Sequence, residues 1–330
     1  MPAKLRDVAQ KAGVSIKTVS RVVNNQGEIS EATRQRVLAA IADLHYRPSK
    51  VARALVTQRS DTVGLVLSDI TNPFFPEVAR GVLDVAESCG YNVFLCNSDG
   101  NLERETRILE SLVDHGVDGV IIFPTFELEP VLRRLAGPHL PIVVVNRQYD
   151  LPGVSTVMIQ TRRGAQLAVE HLIRQGHTAI AMLAGQSHEV PQLERVQGYR
   201  DVLAAHGLPI REEWIIGGVP VRNRGRESAL ALLSRYPEIT AIFAYNDLLA
   251  LGAIEACQAL GRRVPEDCAI IGFDDIPLAG AVCPPLTTVH VHKYELGRLA
   301  VERLLQMLAQ PDQTFVPIWA DVELIVRASA

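Results

Sequence analysis

The sequence predicts an α/β protein: an all-α head of about sixty residues, followed by a body of parallel sheets covered on both faces by helices. Three observations lead there. Apolar residues near the N-terminus recur at helical spacing. From Thr62 onward, short Val, Ile and Leu runs alternate with amphipathic stretches, as strands and helices do in parallel α/β layers. Charge divides the same two parts. Residues 1–60 carry eleven Lys or Arg against four acids, a balance of +7, while the remaining residues bring the chain to a net −4.

In the head, Leu5, Val8, Ala9 and Ala12 repeat at helical spacing and Gly13 ends the first helix. Ser15 is the N-cap of a second helix from Ile16 to about Asn24, with Val19, Val22 and Val23 inward. Ser30 caps a third, whose apolar face holds Val37, Ala40, Ile41 and Leu44 and which Pro48 stops. Two short helices joined by a Gly-containing turn form a helix-turn-helix, and the second belongs in a DNA major groove. Arg21 has the two donors that bridge guanine O6 and N7, Lys17 reaches a guanine or a phosphate, and Ile16 offers apolar contact to a thymine methyl. A basic head on an acidic body suits a polyanion, because Lys and Arg gain by displacing counterions from phosphates. A solvated basic surface or a protein-binding module is the plainer alternative.

The body reads in order as strand Thr62–Leu67, helix Phe75–Cys89, strand Tyr91–Asn97, helix Arg104–His115, strand Gly119–Phe123, helix Leu128–Leu135 and strand Ile142–Asn146. It continues with helix Gly164–Gln175, strand Ala179–Ala184, helix Gln192–His206, strand Trp214–Gly217, helix Arg224–Arg235 and strand Ala241–Ala244. Helix Asp247–Leu260, strand Ala269–Phe273, strand Thr287–His290 and helix Leu296–Leu308 complete it. Gly90, Gly116 and Gly176 cap helices before strands.

Composition excludes several classes. The 330 residues are too many for one ordinary core, and 48% hydrophobic with 21% charged residues excludes wholesale disorder. No apolar run approaches the roughly 20 residues of a membrane helix, and the N-terminus lacks the apolar stretch of a signal peptide. Five scattered cysteines without CxxC fit neither a disulfide framework nor a zinc site and suit a reducing cytoplasm. His115, His171, His177 and His188 lack metal-ligand spacing, and GxSxG, Walker and GxGxxG motifs are absent, so neither an enzyme nor a metal or other cofactor is expected.

The spelling of the head is more specific than its periodicity. Leu5-Arg6-Asp7-Val8-Ala9, Ala12-Gly13-Val14-Ser15, the run Thr18 to Asn24, and Tyr46-Arg47-Pro48 closely resemble the LacI/GalR (lactose-repressor) family, and the likeness continues through nearly the whole chain. The resemblance implies a dimeric transcription regulator, a repressor, that binds a palindromic operator of two half-sites under control of a small effector. It implies DNA contacts from Ile16, Lys17, Thr18, Arg21 and Asn24, and a hinge in Ser49–Thr57 that folds when two copies pair on DNA. There Leu55 matches the residue wedged into the minor groove and Ala52 the one packed against its twin; a plain linker is the alternative. The boundaries expected are 1–48 for the helix-turn-helix domain, 49–60 for the hinge and 61–330 for the effector-binding and dimerisation domain. The body becomes periplasmic-binding-protein-like: two doubly wound parallel-sheet subdomains, about 61–160 with 291–319 and about 161–290 with 320–330, the chain crossing near Gln160, His290 and Ala320. Lacking a C-terminal leucine-heptad helix, the chain is expected to stop at a dimer.

Ligands of open α/β sheets bind beyond the carboxyl ends of strands. There the sequence places Asn72, Phe74 and Phe75, then Asn146 and Arg147, Arg195, Asn246 and Asp274. Carboxylate, guanidinium and amides fix sugar hydroxyls while an aromatic ring covers the apolar sugar face, and this set is similar to that of sugar-responsive repressors. Taken singly, Phe74 or Phe75 also suits the core, Asn72 a helix cap, and Asp247 or Asp275 a cap or a bridge between subdomains. Pro220 stands where the family often has an aromatic residue, and Val291 where it often has a polar one. Arg222 and Arg224 suit either an acidic sugar or a solvated helix start. A sugar is the expected effector; a purine or a phosphoprotein partner is the alternative, and a solute-binding protein is the rival from another class.

Overall fold

The structure, a computed structural model, describes residues 3–23, 27–46, 59–186 and 190–330. Residues 1–60 and 61–330 form two compact units.

The head holds α1 (Leu5–Ala12), α2 (Ile16–Val23) and α3 (Glu31–Asp43). Gly13 ends α1 at φ +64°, where a side chain would be strained. The Ser15 hydroxyl accepts from Thr18 N–H at 3.1 Å, and the Ser30 hydroxyl caps α3 through Thr33 N–H. Val8, Ala9, Ala12, Val19, Val22, Val37 and Ala40 make the buried core. Helix α3 ends at Asp43 rather than at Pro48. His45 at φ +47° turns the chain out of the helix before any proline could stop it.

The body contains two six-stranded sheets. The first has strands β1 (Thr62–Leu67), β2 (Asn92–Asn97), β3 (Gly119–Ile122), β4 (Ile142–Val145), β5 (Val154–Ile159) and β11 (Ile318–Ala320), in the order β11-β5-β4-β3-β1-β2. The second has β6 (Ile180–Leu183), β7 (Ile215–Ile216), β8 (Ala241–Ala244), β9 (Ala269–Asp274), β10 (Thr287–Val291) and β12 (Val322–Ile325), in the order β12-β10-β9-β8-β6-β7. Every strand pair is parallel except β10 with β12. The central strands β1, β3, β4, β6, β8 and β9 are buried throughout, as continuous apolar runs in doubly covered sheets require.

The helices of the body are α4 (Phe75–Ser88), α5 (Leu102–Asp114), α6 (Glu129–Leu135), α7 (Thr161–Arg174), α8 (Val190–Ala205), α9 (Arg222–Arg235), α10 (Asp247–Ala259) and α11 (Lys293–Ala309). Gly90, Gly116 and Gly176 end α4, α5 and α7 at positive φ, as their positions predict. The chain changes sheet after β5, after β10 and between β11 and β12.

Several elements differ from the sequence reading. Strand β5 escapes it because Ser155 and Thr156 interrupt the apolar run; both are buried, and Ser155 accepts from Arg303 at 2.6 Å. The strand expected at Trp214–Gly217 is a 3₁₀ turn, Glu212–Trp214, followed by two residues of edge strand. Helices α5, α7, α9 and α11 each start two or three residues early; for α5 the Asn101 side chain caps Arg104 N–H. The sequence reading gives no bounds for the short strands β11 and β12.

Candidate functional site

The head exposes Ile16, Lys17 and Arg21 at the start and one turn along α2, while Thr18 is half-buried with its hydroxyl 2.9 Å from that of Ser15. Val19 and Val22 turn inward, so the helical period alone separates the presented residues from the core. Asn24, Ala52 and Leu55 lie outside the described residues, as does the hinge segment.

In the body, a cavity of about 140 Å³ opens at the carboxyl ends of both sheets. Asn72, Phe74, Phe75, Asn146, Arg195, Asn246 and Asp274 all line it. A wider opening of about 550 Å³, lined by Gln148, Arg162, Glu194 and Trp319, shares Asn146 and Ile159 with it. The first-sheet wall is largely aromatic. Phe75 meets Phe74 and Phe123 edge-on, with centroids 5.3 and 5.5 Å apart. Asn72 Oδ1 accepts from Phe74 N–H at 3.0 Å, fixing the turn that presents both rings. Asn146, at φ +63°, ties β4 to β5: its Oδ1 accepts from Ile159 N–H at 2.9 Å.

The opposite wall is charged. Arg195, buried on α8, lies 4.1 Å from the Tyr245 ring centroid and 3.9 Å from that of Phe273. Its Nη2 donates to Asp274 Oδ1 at 3.4 Å, and its Nε is buried with no hydrogen-bond partner among the described residues. A buried donor left unpaired costs about 1–3 kcal/mol until something pairs with it. Asp274 and Asp275 follow one another at φ +111° and +53°, sparsely populated backbone for side-chain-bearing residues. The buried Lys293 Nζ donates to both their carbonyls, at 2.8 and 2.9 Å, and holds that turn. Burial pushes the Asp274 carboxyl up to about 6 against the opposing pull of Arg195 and Lys293.

Behind Asp274, Asp247 is fully buried and accepts from Ile276 N–H at 2.8 Å and Thr288 Oγ1 at 2.5 Å. Burial first, and then the Asp274 charge, raise its pKa well above the usual carboxylate range. A Cβ at Gly272 would overlap Asp247 Oδ1, so this packing requires glycine there. Asp275 bridges: it accepts from His290 Nδ1 and pairs with Arg327, both at 2.8 Å. Burial pushes its pKa up, but these bonds outweigh burial and hold it below the usual range.

Two expected ligand groups are used otherwise. Arg147 does not line the cavity. Following the left-handed turn at Asn146, it donates to Glu127 at 3.2 Å and faces Glu105, a buried acid raised by burial to about 7 that needs a nearby cation. Asn246 lines the cavity but caps α10 through Leu249 N–H and donates to Pro220 O, so its amide is largely spent on the fold. Of the departures noted in the sequence, Pro220 does line the cavity. Val291 is buried and absent from the lining, and Arg222 and Arg224 pair with Glu255 and Glu227. Sequence reasoning missed Tyr245, Phe123 and Thr125. Each follows the end of a strand, the signal that located Asn246 and Asp274.

Residues 4–49 match the family model of bacterial regulatory proteins of the lacI family, and residues 60–324 that of periplasmic binding proteins and the sugar binding domain of the LacI family. The chain is 38% identical to a ribose operon repressor of Halalkalibacterium halodurans, over 98% of this chain and 96% of that protein. It is 35% identical to the transcriptional repressor PurR of Photobacterium profundum, over 99% and 98%. Among solved structures, the lac repressor dimer bound to operator and the anti-inducer ONPF superposes with a TM-score of 0.89 at 29% identity, covering 100% of this chain and 99% of that one. The regulator CelR in its cellobiose complex reaches 0.76 at 32% identity, covering 99% and 100%. None of the described helices is long and apolar enough to cross a membrane.

Proposed function

The chain belongs to the LacI family of bacterial regulatory proteins, and we propose that it is a cytoplasmic, homodimeric repressor whose operator affinity is set by a small sugar in the body cavity. The observation that carries the sugar reading is Arg195. It is a buried guanidinium whose Nε has no hydrogen-bond partner among the described residues, beside an ionisable Asp274 and across from the Phe74 and Phe75 wall. Donor, acceptor and aromatic cover together answer vicinal hydroxyls on one side of a sugar and its apolar face on the other. The exposed Ile16, Lys17 and Arg21 support operator reading by α2. Self-association is supported by β2, an edge strand that leaves Phe94 44% and Leu95 45% exposed, with Leu83 of α4 at 41%.

The three crossings between sheets allow the halves of the body to take more than one relative arrangement. A sugar that touches both walls favours the arrangement in which both reach it, and operator affinity shifts only by its differential binding to the two states. Residues 49–60 would carry that shift to the head.

Likeness to PurR supports a purine as the second reading. Calorimetry of the purified chain against D-ribose, other pentoses and hexoses, and separately hypoxanthine and guanine, decides between them. Saturable heat with a sugar alone is expected. Heat with a purine alone would transfer the site to the second reading, and heat with neither class would remove the cavity as an effector site for both.

A further inference from the structure

We propose that His290, His292 and Glu323 form a binding site for a divalent transition-metal ion of the zinc type, placed where the chain crosses between the two sheets. His290 and Glu323 are Cα partners in the antiparallel pairing of β10 with β12, and His292 follows two residues on. Residues two apart along an extended chain point the same way. One donor atom from each of the three lies within 4.8 Å of the others, and the two imidazole centroids are 4.6 Å apart.

The shell behind the ligands favours a metal over an accidental cluster. Asp275 accepts from His290 Nδ1 at 2.8 Å, which fixes the tautomer and leaves Nε2 with its lone pair. A ligating histidine almost always has such a carboxylate or carbonyl behind it. The neighbouring cations are already engaged: Arg327 with Asp275, and Lys293 with backbone carbonyls and, at 3.7 Å, with Glu77. His292 Nε2 stands 3.8 Å from Glu323 Oε1. A tetrahedral zinc site, with bonds of about 2.0–2.1 Å, needs its ligand atoms roughly 3.3 Å apart. The closure falls to His292 and Glu323, whose side chains are 45% and 58% exposed, while His290 is held. Two imidazoles and one carboxylate suit zinc, nickel or copper rather than the all-oxygen shells of calcium and magnesium. Three protein ligands leave a fourth position for water. Spacing in the sequence could not have found this set, because strand pairing unites residues more than thirty positions apart. Bound there, the ion links the β10–α11 crossing to the one between β11 and β12.

The test uses the full chain freed of metal by a chelator and titrated with zinc chloride in a calorimeter. One equivalent per chain is expected. His292→Ala and Glu323→Gln, both at exposed positions, are each expected to lose about tenfold to a hundredfold in affinity, and His177→Ala to lose none. Cobalt(II) added to the wild type is expected to give the visible bands of a tetrahedral site, and to give none with His292→Ala. No saturable zinc binding, octahedral cobalt in the wild type, or binding undiminished in both variants would overturn the assignment.

Discussion

The two walls of the body cavity are made of opposite chemistry on closely similar sheets. On one wall, Phe74, Phe75 and Phe123 pack edge-on and merge with the core, and the side-chain carbonyls of Asn72 and Asn146 accept from the backbone. On the other, Arg195 and Asp274 bury charge beside Tyr245 and Phe273, with Asp247 and Lys293 packed behind them. The difference teaches where the stability and the recognition reside. The aromatic wall lowers the free energy of folding whether or not a ligand is present. The charged wall is costly to bury and incompletely paired, so it gains most when a polar ligand arrives.

The largest expected effect is on the aromatic side. Phe75→Ala should lower the free energy of unfolding by about 3–5 kcal/mol in urea denaturation, because Phe75 is buried between two rings. A loss below about 1 kcal/mol would show that this wall is not core and break the comparison.

Next comes the charged side. Arg195→Ala and Asp274→Ala should each weaken effector binding by roughly 1.5–3 kcal/mol, about tenfold to a hundredfold in Kd by calorimetry. Wild-type affinity in both would remove this wall from recognition. A third effect sharpens the contrast through pH. With its carboxyl pushed up to about 6, Asp274 is ionised at pH 7 and mostly protonated at pH 5. Effector affinity should therefore fall as the pH drops through 6, by up to about tenfold between pH 7 and 5. The linkage to stability has the opposite sign. A raised carboxylate pKa penalises the folded state above about 6, and acidification toward the ordinary value of 3.8 relieves that penalty. Binding that weakens while Asp274's own contribution to stability does not is thus the signature of this group. Asp274→Asn should flatten the profile.

Much of this arrangement is legible in the sequence because it follows from periodicity. The inward valines of α1 to α3, the apolar strands and the glycine caps obey spacing alone, and strand ends locate Arg195's neighbour Asp274 and the Asn72–Phe75 turn. What escapes depends on where side chains turn after an irregular residue. Asn146 in the left-handed region sends Arg147 toward Glu105 and Glu127, and no residue spacing encodes that direction. Strand β5 is hidden by the hydroxyls of Ser155 and Thr156, and the partner of the Ser155 hydroxyl, Arg303, lies far along the chain. His290, His292 and Glu323 meet through strand register, which one chain's sequence does not display.

The account rests on the cavity controlling operator binding from outside the head. The direct measurement is operator affinity of wild type and Arg195→Ala, each with and without the sugar that titrates the wild type. The account predicts equal operator affinity without sugar, a shift with sugar in the wild type, and no shift at the same concentration in the variant. An undiminished shift in Arg195→Ala, or loss of operator binding by the sugar-free variant with its fold intact, would contradict it.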